Sequence, residues 1–139
     1  MTRERTELLV VDDNRVNRLL VARTLTQLGH GVCFAEHGRQ ALEMLRVNPV
    51  DLVLLDIEMP EMNGVELVMR LRIDPMLGSV PIVLYSGDPN LSVIAEMLQA
   101  EGYLAKPCAS HRILDEIARV LDASRPRAAR GAPRHAARP

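Results

Sequence analysis

The chain has 139 residues, a formal net charge of −1 and a composition that is 47% hydrophobic but only 2% aromatic, which fits one domain with a core of aliphatic residues and methionine. No apolar stretch approaches the roughly 20 residues of a membrane-spanning helix, and residues 1–7 have mixed charge without the apolar segment of a secretory signal. Cys33 and Cys108 lack the spacing of a metal or redox motif, so we expect a cytoplasmic protein with no membrane attachment.

Continuous apolar runs alternate with amphipathic segments along the chain, beginning with a strand at Glu7–Asp12. A helix from Asn14 to about Leu28 carries apolar residues at helical spacing, namely Val16, Leu19, Leu20, Ala22, Leu25 and Leu28, with Asn14 as N-cap and Gly29 as C-cap. Further strands are expected at Gly31–Ala35, Asp51–Asp56, Val80–Tyr85 and Gly102–Ala105, and further helices at about Arg39–Arg46, Val65–Arg72, Leu91–Ala100 and Ser110–Leu121. Five repeats of strand and helix predict a parallel sheet covered by helices on both faces.

The last segment of the chain differs in composition from the rest. Residues 124–139 carry five arginines and no acid, which leaves 12 basic and 18 acidic residues in 1–123. An Arg/Ala/Pro-rich segment without large apolar residues cannot bury enough surface to fold alone, so we expect a disordered tail or linker after a domain at 1–123. Contact with nucleic acid or an acidic partner is the alternative, which the lack of aromatic residues for base stacking disfavours.

Polar side chains follow the predicted strands where each strand ends. Asp12 and Asp13 follow the first strand, Asp56 ends the third, Ser86 follows the fourth and Lys106 follows the fifth. The carboxyl ends of parallel strands meet at one edge of a sheet, and ligands bind in the crevice outside that edge. We therefore expect three carboxylates, a hydroxyl and an ammonium to share one crevice.

This combination of groups is suited to metal-assisted phosphoryl chemistry. Clustered carboxylates repel one another unless a cation binds, and oxygen ligands without clustered His or Cys favour Mg²⁺ or Mn²⁺. Asp56 can act as a nucleophile that forms an aspartyl phosphate. Lys106, the only lysine among 17 basic residues, can neutralise a phosphoryl oxygen as a compact point charge, while Ser86 donates a hydrogen bond to another oxygen.

Four segments of the chain resemble the receiver domain of bacterial two-component response regulators. They are Leu9–Asn14 (LVVDDN), Leu54–Gly64 (LLDIEMPEMNG), Leu84–Gly87 (LYSG) and Tyr103–Pro107 (YLAKP). The resemblance covers about residues 6–122. It implies a doubly wound, flavodoxin-like (CheY-like) α/β fold with five parallel strands in the order 2-1-3-4-5.

The resemblance also implies roles for the acidic residues. Asp56 corresponds to the phosphoacceptor, and Asp13 corresponds to a direct metal ligand. Asp12 helps to hold the metal, usually through water, and the backbone carbonyl of Glu58 supplies a further ligand.

The remaining site residues follow from the same resemblance. Ser86 and Lys106 are expected to bind the phosphoryl group, and the Lys106–Pro107 peptide bond is expected to be cis. Tyr103 matches the aromatic residue that turns inward when the hydroxyl residue shifts toward the phosphoryl group.

The chain departs from the family pattern beside the site. Glu58 and Asp88 occupy two variable positions that tune the site, and both are acidic here. Gly87 replaces the usual alanine. The stretch from Ser86 to Lys106 is about two residues shorter than usual, so the fourth helix or its loop is expected to differ.

The function expected from the resemblance is that of a receiver in a phosphorelay, not that of an enzyme, apart from slow autodephosphorylation. A sensor histidine kinase or a histidine phosphotransfer protein is expected to donate the phosphoryl group, Mg²⁺ (or Mn²⁺) is the expected cofactor, and an unknown output protein is expected to bind the switched face. The resemblance leaves open a homodimer that forms on phosphorylation. No DNA-binding unit follows residue 123, so direct transcriptional control is not expected.

Three alternatives remain at this stage. One is a Mg²⁺-dependent phosphatase with an aspartyl-phosphate intermediate, because Glu58 lies where such enzymes carry an acid/base two residues after the nucleophile. The second is a receiver-like binding module that works without phosphate. The third concerns organisation only: a receiver that is part of a hybrid kinase or of a longer regulator.

Overall fold

The computed structural model describes residues 6–59 and 63–124, which form a single parallel sheet with helices on both faces. The strands are β1 (Glu7–Val11), β2 (Gly31–Ala35), β3 (Leu52–Asp56), β4 (Ile82–Ser86) and β5 (Gly102–Ala105). Their order is β2-β1-β3-β4-β5, and every neighbouring pair is parallel. The predicted flavodoxin-like fold is therefore confirmed. Pro60, Glu61 and Met62 of the second matching segment lie outside the described residues, as does the tail from residue 125.

The helices connect the strands in the predicted alternation. They are α1 (Arg15–Thr26), α2 (Gly38–Val47), α3 (Gly64–Ile73), α4 (Leu91–Met97) and α5 (Ser110–Ala123). The predicted N-cap of α1 is confirmed, because the side chain of Asn14 accepts a hydrogen bond from the amide of Asn17. None of the helices formed by the described residues has the length and apolar character that crossing a membrane requires.

The end of α4 was predicted too late, at Ala100 instead of Met97. Gln99 takes a positive φ of 55°, which ends the helix without the glycine that usually adopts this conformation. The guanidinium of Arg72, at the end of α3, donates a hydrogen bond of 3.0 Å to the carbonyl oxygen of Gln99 and another of 3.0 Å to the carboxylate of Glu101. A contact from another helix therefore holds the shortened connection into β5.

The core consists of two aliphatic layers, one on each face of the sheet. Successive residues of β1 alternate between them: Leu9 and Val11 pack with α2, α3 and α4, whereas Leu8 and Val10 pack with α1 and α5. The central strand β3 is buried along its whole length, as expected for a strand that is covered on both sides.

Helix α1 buries a narrower face than its apolar spacing suggests. Val21, Ala22 and Leu25 are its buried residues. Four of the six apolar residues at helical spacing are 54–63% exposed, namely Val16, Leu19, Leu20 and Leu28. The outer side of α1 therefore presents an apolar surface to solvent.

Candidate functional site

The three carboxylates predicted to cluster do so at the carboxyl ends of adjacent strands β1 and β3. Asp12 and Asp56 are only 2% and 5% exposed, while Asp13 lies at the surface. One oxygen of each lies within 4.8 Å of the corresponding oxygens of the other two. Backbone amides of the loops that follow fix the two buried groups: Asn14 N donates to Asp12 Oδ1 at 2.8 Å, and Glu58 N donates to Asp56 Oδ1 at 2.9 Å.

Burial and mutual repulsion make this cluster suited to holding a cation. Burial raises the pKa of Asp12, and the charges of Asp56 and Asp13 raise it further, against the opposing effects of the Asn14 amide and Lys106. The same environment that disfavours closely spaced anions favours a cation between them. The donors are all carboxylate oxygens, which suit a hard divalent cation better than zinc. The residues present therefore fit Mg²⁺.

Lys106 lies directly against the buried carboxylates. Its Nζ is 3.0 Å from Asp56 Oδ2, 3.8 Å from Asp12 Oδ2 and 4.9 Å from the centre of the Tyr85 ring. Burial lowers the pKa of Lys106, but the hydrogen bond and charge of Asp56, aided by Asp12, outweigh this effect and leave the pKa raised. The side chain is therefore an ammonium ion at neutral pH. The Lys106–Pro107 peptide bond is cis.

Ser86, the last residue of β4, is completely buried beside this group. Its backbone carbonyl accepts a hydrogen bond of 2.9 Å from Lys106 N, which joins the ends of β4 and β5. Its hydroxyl donates to Glu58 Oε1 at 2.7 Å and accepts from Asp88 N at 3.0 Å. The two acidic residues predicted to flank the site therefore both contact Ser86, one through its side chain and one through its backbone.

Glycine at position 64 allows the loop after Asp56 to pack closely against α3. A Cβ on Gly64 would collide with the backbone of Ile57 and crowd the carbonyl of Asp56. Gly64 N also donates to Ile57 O at 3.1 Å. The first turn of α3 thus holds the backbone that carries Asp56 and Glu58.

Sequence patterns alone did not identify Tyr85 as a site residue. Its ring lies beside Lys106 and borders a groove between α1 and α5 that Asn17, Leu20 and Cys108 also line. A ring face near an ammonium is an attractive cation–π arrangement. The sequence feature that could have identified Tyr85 is its position directly before Ser86, on a strand that ends at the site.

Tyr103 lies on β5, away from the acidic cluster, with its side chain 43% exposed. It borders a cleft between α4 and α5 that Val93, Glu96 and Arg119 also line. Its backbone amide donates a hydrogen bond of 3.2 Å to Glu116 Oε2. In this structure, the side chain that the resemblance assigns to the switch points outward.

The fold and the site together define a receiver: a doubly wound α/β domain with a buried aspartate, an acidic cluster that can hold a cation and an ammonium at one sheet edge. The response regulator receiver domain family matches residues 8–118, so the chain belongs to this family. Family membership favours the receiver interpretation over the phosphatase alternative, since receivers are typically signalling modules without enzymatic activity.

Three known proteins illustrate the likeness. The chemotaxis protein CheY homolog of Campylobacter jejuni is 35% identical over 119 residues, which cover 83% of this chain and 92% of that protein. The autoinducer 1 sensor kinase/phosphatase LuxN of Vibrio harveyi is 38% identical over 100 residues, which cover 71% of this chain but only 12% of that protein. The structure of chemotaxis protein CheY4 of Vibrio cholerae superposes with a TM-score of 0.78 at 30% identity and covers 84% of this chain and 98% of that chain. The chain is thus a receiver domain of two-component signalling, similar to CheY proteins and to a segment of a much longer sensor kinase.

Proposed function

We propose that this receiver accepts a phosphoryl group on Asp56 from a phosphohistidine of a sensor histidine kinase or a histidine phosphotransfer protein. The observation that supports the proposal most directly is the burial of Asp56 together with its hydrogen-bond partners. Its carboxylate is almost fully buried, yet an amide and an ammonium hold its two oxygens separately. Two further carboxylates that can share a cation lie beside it.

The transfer follows from the positions of these groups. An oxygen of Asp56 attacks the phosphorus atom, the bond between phosphorus and the imidazole nitrogen breaks, and the electron pair remains on the imidazole. Asp13 and Asp56 would bind Mg²⁺ (or Mn²⁺) directly, Asp12 would bind it through water, and the backbone carbonyl of Glu58 would supply a further ligand. The cation would neutralise charge on the phosphoryl oxygens.

Lys106 and Ser86 complete the binding of the new group. The ammonium of Lys106, already 3.0 Å from Asp56, stays beside the phosphoryl group and neutralises a second oxygen. The hydroxyl of Ser86 donates a hydrogen bond to a third oxygen. The phosphoryl group thereby pulls on the ends of β4 and β5, which Lys106 N and Ser86 O join.

The phosphodonor is proposed to dock on the exposed apolar side of α1. This helix begins at Arg15, directly after the acidic loop, and Val16, Leu19 and Leu20 are more than half exposed along it. An apolar helix surface beside a reactive group is suited to packing against a helix of the donor. Docking there brings a phosphohistidine to the open side of the carboxylate cluster.

The output is proposed to lie on a different surface, built by α4, β5 and α5. When Ser86 moves toward the phosphoryl group, Tyr103 turns inward and remodels the face built by α4, β5 and α5. Val93 and Met97 are exposed on that face, so a change there can alter the binding of an output protein or of a second copy of this chain. This is a two-state switch biased by a local charge.

The domain boundaries and compartment are also part of the proposal. We assign the receiver to residues 1–123 and treat 124–139 as a tail or linker because of its arginine-rich composition. A cytoplasmic location fits a phosphodonor that carries its phosphohistidine in the cytoplasm.

The first test is the intact mass of the protein after incubation with Mg²⁺ and a small phosphodonor such as acetyl phosphate. One added phosphoryl group is expected, and it should be absent in Asp56→Asn and after chelation of Mg²⁺. Asp115→Asn, which removes an exposed acid of α5, serves as the matched control and should be labelled normally. Labelling of Asp56→Asn at normal stoichiometry would contradict the assignment. If neither acetyl phosphate nor a phosphohistidine donor labels the protein, the phosphate-independent module is supported instead.

A further inference from the structure

We propose that Glu58 is a positioning residue that holds the Ser86 hydroxyl in the unphosphorylated protein and must release it before Ser86 can bind the phosphoryl group. The proposal rests on the proposed function, because it concerns the hydroxyl assigned to the phosphoryl group. It adds a competitor within the chain: the carboxylate of Glu58 accepts the hydrogen bond from the Ser86 hydroxyl that a phosphoryl oxygen would have to accept.

The hydrogen bonds of Ser86 carry the argument. A serine hydroxyl has one hydrogen to donate, and Ser86 Oγ donates it to Glu58 Oε1 at 2.7 Å. Its lone pairs face Asp88 N, which donates to Oγ at 3.0 Å. Ser86 is 0% exposed, so bulk water does not compete for the hydroxyl. The hydroxyl cannot donate to a phosphoryl oxygen while it donates to Glu58.

Glu58 resembles the incoming group in charge and in hydrogen-bonding character. A carboxylate oxygen is an anionic acceptor that binds a hydroxyl more strongly than a neutral oxygen does, and a phosphoryl oxygen is an anionic acceptor too. The two anions therefore compete for one proton and repel each other. Phosphorylation of Asp56 is expected to expel the Glu58 side chain from Ser86.

The structure allows this exchange without disturbing the backbone. Glu58 is exposed, so its carboxylate can rotate into solvent at little cost. Its amide separately donates to Asp56 Oδ1 at 2.9 Å, and the first turn of α3 supports the loop. Only the side chain has to move. Glu58 therefore controls when the Ser86 hydroxyl becomes available to the phosphoryl group, and it is not needed to support the fold.

Asp88 is a natural control for the charge of Glu58. It is a second acid beside Ser86, but its Oδ1 accepts from Asn90 N at 2.8 Å, and its contact with Ser86 runs through its backbone amide. Asp88→Asn removes a negative charge and keeps an oxygen acceptor for Asn90. A gain in binding that comes from charge alone should therefore appear in both Glu58→Ala and Asp88→Asn.

The test is a titration with beryllofluoride in the presence of Mg²⁺, followed by fluorine NMR. Beryllofluoride is a phosphoryl analogue that binds a carboxylate oxygen without a donor or turnover. Glu58→Ala is expected to bind it about tenfold more tightly than the wild type, which corresponds to about 1.4 kcal/mol. Asp88→Asn is expected to gain less than threefold.

The decisive comparison is the same substitution in a Ser86→Ala background. If Glu58 acts by holding the hydroxyl, Glu58→Ala gains less than twofold when that hydroxyl is absent. An equal gain in both backgrounds would show that Glu58 acts by charge repulsion alone and would overturn the proposal. Equal binding by Glu58→Ala and the wild type would overturn it as well. Circular dichroism of each variant checks that the fold is retained.

The same experiment separates this proposal from the proposed function. If the wild type binds beryllofluoride and Glu58→Ala binds it equally well, the proposed role of Glu58 is rejected, while the assignment of the phosphoacceptor site stands. Binding by Glu58→Ala that the wild type lacks supports both. If neither protein binds beryllofluoride, and neither accepts a phosphoryl group from acetyl phosphate or a phosphohistidine donor, both the proposed function and the proposed role of Glu58 are rejected.

Discussion

Lys106 shows at the scale of one residue how the site balances its charges. The chain contains a single lysine among 17 basic residues, and its ammonium lies within 4 Å of two buried carboxylates. A guanidinium is a planar fork with a different shape and hydrogen-bonding pattern. A compact cation at this position neutralises part of the negative charge of the acidic cluster.

Removing this charge should strengthen Mg²⁺ binding. In Lys106→Met, the three carboxylates lose a competing cation, so we expect Mg²⁺ to bind about fivefold more tightly, or roughly 1 kcal/mol for a partly exposed charge. Lys106→Arg is the matched control, because it keeps the charge and changes the shape, and its affinity should stay closer to that of the wild type. Isothermal titration calorimetry measures both. Weaker or unchanged binding in Lys106→Met would contradict this account of the site.

At the scale of elements, an ion pair within α5, between Glu116 and Arg119, makes hydrogen bonds to the backbone at the start of β5. Glu116 Oε2 accepts hydrogen bonds from Tyr103 N at 3.2 Å and from Arg119 Nη2 at 2.8 Å, and Arg119 also donates to Glu101 O at 3.0 Å. The hydrogen bond from Arg119 is the main reason why the pKa of Glu116 is lowered from its ordinary value of 4.5. Ionised Glu116 therefore stabilises the end of the sheet that carries Tyr103.

The stability contributed by Glu116 should depend on pH in a definite direction. Because its pKa is lower in the folded state, its contribution is fully present above the unfolded value of about 4.5 and disappears as the pH falls through the lower folded value. At pH 7, Glu116→Gln is expected to lower the free energy of unfolding by about 0.5–1 kcal/mol, since Arg119 is well exposed.

Urea unfolding of wild type and Glu116→Gln at a series of pH values measures this difference. The difference should shrink below about pH 4.5 as the wild-type carboxylate becomes protonated. Asp115→Asn, a neighbouring exposed acid on the same helix, should show no such loss. A difference that stays constant down to pH 3 would contradict the assigned role.

The elements that sequence patterns predicted well are those whose ends depend on local chemistry. Asn14 is an N-cap whose side chain accepts a hydrogen bond from the first turn of α1. By contrast, β4 was predicted to begin at Val80 but begins at Ile82, directly after Pro81, which lacks an amide hydrogen. The end of α4 was wrong because Gln99 takes a left-handed conformation while Arg72 of another helix bonds its carbonyl. No pattern within the α4 segment contains that information.

The same limit applies to the site. Apolar runs ending in polar residues predicted that Asp12, Asp56 and Lys106 would meet, because strand ends of a parallel sheet share one edge. The bond between Ser86 and Glu58 was not predicted, since it depends on how a loop side chain turns back over the next strand. Sequence periodicity places backbones, whereas the pairing of side chains from different loops is decided by tertiary packing.

For the molecule as a whole, we expect a cation bound at the acidic cluster to increase the stability of the fold. Among the described residues, three carboxylates have oxygens within 4.8 Å of one another, and the two buried ones, Asp12 and Asp56, lie against the ammonium of Lys106. Folding brings these like charges together, which costs free energy that a bound cation offsets. Any ligand that binds only the folded state stabilises it by an amount set by its concentration relative to Kd.

Mg²⁺ should therefore raise the melting temperature in a way that depends on Asp13. At a concentration ten times its Kd, the stabilisation is about 1.4 kcal/mol, which corresponds to a rise in Tm of about 4–8 °C for a domain of this size. Asp13→Asn removes an exposed ligand and a repelling charge, so the metal-free variant should melt slightly higher than the metal-free wild type but lose most of the rise with Mg²⁺. Asp115→Asn should keep the full rise. Differential scanning calorimetry with and without Mg²⁺ measures these changes, and an undiminished rise in Asp13→Asn would place the cation outside the cluster of Asp12, Asp13 and Asp56.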